Sequence, residues 1–188
     1  GDGKIVKAEG KEVMARTTLK LDKEKTAEVV QNLLVSHPKL WDLDFPYRYT
    51  VETIIKKGGK TIDKYLTPFG IRSVKFDKDK GFFLNNKHLK LKGMCLHQDA
   101  GCLGTAVPDR AYERRLLILK EFGTNAIRCS HNPPSPEFLN YCDSIGFLVI
   151  DEAFDKWKSG YYEEFFDSSW QQDISDMVIR DRNHPSVI

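Results

Sequence analysis

The sequence predicts a two-part β + α/β chain. Strands of an antiparallel sandwich occupy about the first 75 residues, and a parallel sheet of βα units follows. Two observations carry this reading. Apolar residues alternate with period two through the first part, and the second part switches to short strands separated by helical periods. A third observation places a site: polar residues gather directly after the second-part strands, where βα folds hold their ligands.

In the first part, "VMARTTLKL" reads as a strand closed by the charged turn "DKEKT". "AEVVQNLLV" reads as a second, with Ala27, Val29, Leu33 and Val35 on one face. "YRYTVETII" alternates through Tyr47, Tyr49, Val51, Thr53 and Ile55, and "KKGGK" is a Gly-Gly hairpin returning along "TIDKYLTPFGIR". These strands are too few for a complete sandwich. The reading is therefore of the back portion of such a domain.

The second part opens with the hairpin "GFFLNNKHLKLKG", turning at Asn85-Asn86, and a short strand "GMCLH". In "PDRAYERRLLILKEFG", Tyr112, Leu116, Leu119 and Phe122 recur at helical spacing, with Asp109 as N-cap and Gly123 as stop. "NAIRCS" is a strand. "SPEFLNYCDSIG" is a helix with Ser135 as N-cap, Pro136 at its first position, Gly146 at its end, and Phe138, Cys142 and Ile145 on one face. "FLVIDEAF" is a strand. "SSWQQDISDMVIRDR" is a helix with a Ser169/Gln172 capping box and Trp170, Ile174, Met177 and Val178 inward. "NHPSVI" starts one more strand.

Composition narrows the function classes. The 188 residues are 40% hydrophobic and 30% charged with a net charge of +2, and the charges are mixed. No basic stripe argues for nucleic acid, and the apolar runs are too short for a bilayer span. The opening "GDGKIVKAEG" is no signal peptide, so periplasm and cytoplasm both stay open as compartments. Cys95, Cys102, Cys129 and Cys142 form no CxxC pair and read as buried reduced thiols, with a disulfide among them not ruled out by sequence.

Three polar sets sit at strand ends: His97, Gln98 and Asp99; Arg128, Ser130, His131 and Asn132; and Asp151 with Glu152. Arg128 and His131 suit a ligand-binding pair, since Arg holds carboxylates bidentately and neutral His both donates and accepts. They suit equally an ion pair with Asp151 or Glu152. Cys129 and Ser130 beside His131 suggest a nucleophile only superficially, because strand neighbours point to opposite faces. Asp151-Glu152 fails as an acid/base pair for the same reason; one carboxylate bracing Arg128 and the other in loop contacts is the plainer reading. Asp99 could accept from sugar hydroxyls or bind its own loop backbone. Pro133 and Pro134 stiffen the loop that carries His131. His97 and His131 lack metal-ligand spacing, so no metal and no cofactor is expected.

"FGIRSVKF", "GFFLNNKHLKLKGMCLHQD", "LGTAVPD", "NAIRCSHNPP", "GFLVIDEAFD" and "RDRNHPSVI" together resemble glycoside hydrolase family 2, in family order and over nearly the whole chain. "LWDLDFPYRYTV" is similar to late strands of that family's sandwich domain. The resemblance implies a partial immunoglobulin-like β-sandwich over residues 1–73, followed by the first half of a (β/α)8 TIM barrel over 74–188. It implies a retaining β-glycosidase with two glutamates ~5–5.5 Å apart. "HQDAGCLGTAVPD" looks most like the β-galactosidase branch, making a β-galactoside or related β-glycoside the implied partner. By the same resemblance Asp99 and His131 contact the sugar, Arg128 lies near the nucleophile glutamate, and Asp151 and Glu152 shape the pocket; His97 and Asn132, at the same strand ends, are expected to support it. No catalytic residue is assigned within the chain. Both glutamates are expected beyond Ile188, so these residues alone are expected to be inactive. A non-catalytic carbohydrate-binding or interaction module is the alternative. An open half-barrel exposes sheet edges and apolar faces, so self-association into a homo-oligomer is expected.

Overall fold

The computed structural model of the chain describes residues 2–8 and 11–188, with side chains from Val13 onward. The first part is a four-stranded antiparallel sheet of order β2-β1-β3-β4. Its strands are β1 (Asp2–Ala8), β2 (Lys11–Ala15), β3 (Tyr49–Lys57) and β4 (Lys60–Phe69). Between β3 and β4, Gly58 and Gly59 have φ of 57° and 80°. A two-residue hairpin turn that matches the strand twist needs positive φ, which glycine adopts freely.

Two strand expectations are corrected here. The run predicted to reach Leu21 ends as a strand at Ala15, and the segment 27–35 forms no regular element. Val30 and Leu34 are 78% and 79% exposed. A period-two pattern makes a strand only when a neighbour accepts its hydrogen bonds. Among the described residues no strand pairs with this segment.

A meander of β5 (Val74–Asp77), β6 (Gly81–Leu84) and β7 (Lys87–His88) comes next, turning at Asn85 and Asn86 with φ of 51° and 64°. Asparagine tolerates this left-handed region better than other non-glycine residues.

The βα units then follow as β8 (Gly93–His97), α1 (Asp109–Glu121), β9 (Ala126–Ser130), α2 (Pro136–Ile145), β10 (Leu148–Ile150) and α3 (Glu163–Asp181). The sheet is parallel, of order β10-β9-β8. The strand expected in "NHPSVI" is present as a single parallel bridge between Val187 and Val149.

The caps of α2 match the sequence reading. Ser135 Oγ accepts from the Phe138 amide at 3.2 Å, Pro136 occupies the first turn, and Gly146 closes the helix with φ of 86°. A Cβ at Gly146 would also collide with the Leu43 carbonyl, so the position excludes larger residues twice over.

The other two helices depart from expectation. In α1, Pro108 is the cap and Asp109 is the first helical residue, where its charge still complements the helix dipole. Phe122 lies at the C-cap, past the buried stripe, and is 83% exposed. Helix α3 begins at Glu163, so Ser169 lies inside it and donates back to the Phe165 carbonyl at 2.9 Å instead of capping. Ile174 and Val178, expected inward, are exposed, and Asp181 is the only fully buried residue of the helix.

Two apolar clusters hold the α/β part. One lies between sheet and helices and contains Tyr112, Leu116, Ile127, Cys129, Phe138, Leu139, Cys142, Phe147 and Val149. The other joins Trp41, Phe82 and Leu84 to Ala126 and Leu148, the first residues of β9 and β10. Meander and linker thus plug the N-terminal ends of the parallel strands, leaving the C-terminal ends for a site.

A buried polar network fastens the same junction. Asp143 accepts from Ser186 Oγ at 2.6 Å and the Ser186 amide at 3.1 Å, and lies 2.6 Å from His184 Nδ1. Trp41 Nε1 donates to the Asp143 carbonyl at 2.8 Å, and Arg72 donates to the carbonyls of Pro185 and Val187.

Candidate functional site

Strand β9 positions the site by its alternation. Ile127 and Cys129 face the helical core, so Arg128 between them points to the opposite, open face. There it is in register with Cys95 of β8 and Ile150 of β10. Its guanidinium pairs with Glu152, through Nε to Oε1 and through Nη2 to Oε2 at 3.2 Å. His131 Nδ1 lies 3.1 Å from both Arg128 Nη2 and Glu152 Oε2. Its Nε2 is 3.9 Å from Asp155 Oδ1, and the His97 ring meets it edge-on at 5.3 Å.

Arg128, His131 and Glu152 therefore form one connected cluster. Arg128 also donates to Cys95 Sγ at 3.6 Å. That contact pulls the Cys95 thiol below its usual range, while Cys95 and Glu152 hold Arg128 in its charged form. The peptide bond between Ser130 and His131 is cis.

Asp99 stands on the neighbouring rim. Its carbonyl accepts from Arg115 at 2.6 Å, and its amide donates to the His97 carbonyl at 2.9 Å. With His97, Thr105, His131, Asn132 and Asp155 it lines an open cleft of about 540 Å³. A second cleft of about 860 Å³ shares His131 and Asp155 and adds Arg128, Glu152 and the aromatic residues after β10.

Asp151 departs from this group. Its neighbour Glu152 enters the cluster, while Asp151 meets Asp181 at the end of α3. Asp181 itself is held by Arg180 at 2.7 Å. Asp151 Oδ1 is shut off from solvent with no partner among the described residues. Burial, then the hydrogen bond and charge of Asp181, push the Asp151 pKa from 3.8 up to about 7.

The folded state thus keeps a proton that the unfolded chain releases near pH 4, so this contribution to stability is full below that pH and is lost as pH rises through about 7. A fully sheltered group with such a shift contributes about 4 kcal/mol, and solvent screening at this half-sheltered position reduces that to about 2 kcal/mol. Asp151→Asn is expected to leave stability at pH 4 unchanged and to raise it at pH 8 by about 2 kcal/mol. Urea denaturation at the two pH values measures this, and an unaltered pH slope would contradict it.

The thiols are free and divide evenly: Cys129 and Cys142 are buried, while Cys95 and Cys102 are exposed, which corrects the expectation of four buried thiols. Burial pushes both Cys129 and Cys142 far above the range in which a thiolate forms, which disqualifies Cys129 as a nucleophile. Among the described residues no group of three or more His, Cys, Asp or Glu is placed to hold a metal ion. No described helix is long and apolar enough to cross a membrane.

Sequence reasoning missed Asp155, Cys95 and the Asp181–Arg180 pair. Asp155 was findable, since it follows Glu152 by three residues on the same loop. The others depend on strand register and helix placement that no local pattern encodes.

The family model for the TIM barrel domain of glycosyl hydrolases family 2 matches residues 74–188, and a second family 2 model matches residues 2–72. The chain belongs to glycosyl hydrolase family 2. Its sheet of β1–β4 is part of the family 2 sandwich, and its βα units are those of the TIM barrel.

A β-galactosidase of Bacteroides ovatus is 50% identical over 186 residues, which is 96% of this chain and 22% of that protein. A crystal structure of a glycosyl hydrolase family 2 member from Bacteroides cellulosilyticus superposes with a TM-score of 0.91 at 44% identity, covering 99% of this chain and 25% of that one. The apo structure of Bacteroides uniformis β-glucuronidase 3 gives 0.84 at 28% identity, over 99% and 23%. The family 2 chain described here thus spans about a quarter or less of the length of these relatives.

Proposed function

We propose that these residues form one wall of the pocket of a retaining β-glycosidase, with a terminal β-galactoside as substrate. The Arg128–Glu152–His131 cluster carries the proposal: a rigid, charged, hydrogen-bonded group at the C-terminal ends of parallel strands, open to a cleft. In this reading His131 and Asp99 take the sugar hydroxyls. Arg128, held flat by Glu152, keeps His131 in place and faces the position of the nucleophile. His97 and Asn132 shape the same cleft, and Asp151 fixes α3 against the end of β10. The sandwich occupies residues 1–73 and the barrel 74–188.

The two glutamates of a double displacement are not among these groups. Glu152 is occupied by Arg128 and His131, and Asp151 meets Asp181 instead. We place the catalytic pair outside the 188 residues. The galactoside assignment draws on the 50% identical β-galactosidase; the β-glucuronidase relatives make a glucuronide the competing substrate.

Hydrolysis of nitrophenyl β-galactoside and nitrophenyl β-glucuronide by the longer protein decides between them. Galactoside turnover at least about 100-fold faster, with retained anomeric configuration, is expected, because a site built for a neutral sugar leaves a carboxylate unpaired. Preference for the glucuronide would replace the substrate, and inversion would overturn the mechanism.

A non-catalytic binding module rests on the same cluster and is separated by calorimetry. It requires that the longer protein bind galactoside, lose binding in Asp99→Ala and His131→Ala, and release no product.

A further inference from the structure

The loop after β10 and the first turns of α3 build an aromatic shelf that the proposed chemistry does not use. Phe166 and Trp170 stand four residues apart on one face of α3, their rings 6.1 Å apart and inclined by 12°. Trp157, from the loop, continues the row at 6.2 Å from Phe166 and 10°. Phe154 and Tyr162 support it edge-on, Phe154 meeting Tyr162 at 5.4 Å and Phe166 at 5.6 Å. Centroids 6 Å apart in parallel planes are offset stacks, so the three rings form steps, not a closed pile. Trp157 is 66% exposed.

The shelf, continued along α3 by Ile174 and Met177, is one wall of the 860 Å³ cleft whose other wall is Arg128, His131 and Glu152. That cleft meets the 540 Å³ one at His131 and Asp155. The site therefore has two lobes joined at His131: a polar one with His97, Asp99 and Asn132, and an aromatic one with Trp157.

We propose that the aromatic lobe is a subsite for the second sugar ring of a β-linked disaccharide or longer chain, stacked on Trp157. The assignment rests on the polar lobe holding the terminal sugar. A pyranose presents axial C–H groups on one face and hydroxyls around its edge. The C–H face suits an exposed indole. The hydroxyls find charged partners at the rim in Asp155 and in the Lys158–Asp167 pair, which is 2.9 Å across. Trp157 presents that indole in the cleft that Arg128, His131 and Glu152 line.

The chain carries three tryptophans, which makes the test internally controlled. Trp41 is fully buried with its Nε1 bonded to the Asp143 carbonyl, far from either lobe. In ¹⁹F NMR of the longer protein carrying fluorotryptophan, with resonances assigned by single Trp→Phe substitutions, lactose is expected to move the indole signals of Trp157 and Trp170 and leave that of Trp41 in place. Methyl β-galactoside, which has one ring, should move neither. Trp157→Ala should weaken lactose about fivefold and methyl β-galactoside by less than about twofold, and Trp157→Phe should restore most of the difference.

Two results overturn the subsite while leaving the polar lobe intact: a Trp157 resonance unmoved at saturating lactose, or equal weakening of both sugars by Trp157→Ala. If His131→Ala leaves methyl β-galactoside binding unchanged, the polar lobe fails as the terminal-sugar site and the aromatic assignment falls with it.

Discussion

Replacing Asp143 with alanine is expected to remove about 3–5 kcal/mol of folding stability, a large part of the whole for a domain of this size. The carboxylate is 2% exposed and is the shared acceptor for Ser186 Oγ, the Ser186 amide and His184. Ser186 is itself fully buried, so truncation leaves its hydroxyl and amide without water or partner. The loss also removes a negative charge facing Arg72, which reaches across to the Pro185 and Val187 carbonyls. Asp143→Asn keeps an acceptor oxygen and should cost roughly half as much. Urea unfolding of the three proteins measures the difference. A loss below about 1 kcal/mol for the alanine variant would mean that the junction is held by its apolar cluster alone.

On the proposed function, Arg128→Ala is expected to lower kcat/KM of the longer protein about 10²–10³-fold, because a small misplacement of a positioning group is costly. Removing the guanidinium leaves Glu152 without its bidentate partner and frees the His131 Nδ1 from one of its two partners. Arg128→Lys should recover little, since an ammonium cannot make both contacts to Glu152. Stability should change by less than about 1 kcal/mol, because the pair lies at the open face of the sheet. The split between activity and stability is the informative part. A loss of activity below about fivefold would show that Arg128 merely braces the strand ends.

The path from sequence to site was legible where local chemistry decides. Ser135, Pro136 and Gly146 spell out the ends of α2, and Asn85-Asn86 and Gly58-Gly59 spell out two turns, because each needs a particular cap or a particular φ. Strand alternation likewise argued against Cys129 acting beside His131, and Cys129 lies in the helical core while His131 joins Arg128.

Legibility failed where the partner decides. Residues 27–35 alternate as a strand does but find no described strand to pair with. Helix α3 starts at Glu163, where the sequence shows no cap, and Ile174 and Val178 of its apolar row stay exposed. Asp151 and Glu152 were expected to diverge as strand neighbours; they do part company, but both lie past the end of β10 at Ile150, on the loop that follows. That Asp151 would meet Asp181, thirty residues on, depends on where α3 ends.

The central claim is that this chain holds the positioning half of a glycosidase pocket whose reacting carboxylates come from elsewhere in the protein. Incubating the 188-residue chain and the longer protein with nitrophenyl β-galactoside tests it most directly. The account predicts no turnover above background by the 188 residues and turnover by the longer protein that depends on Arg128 and His131. Turnover by the 188-residue chain that survives Arg128→Ala and His131→Ala would contradict it.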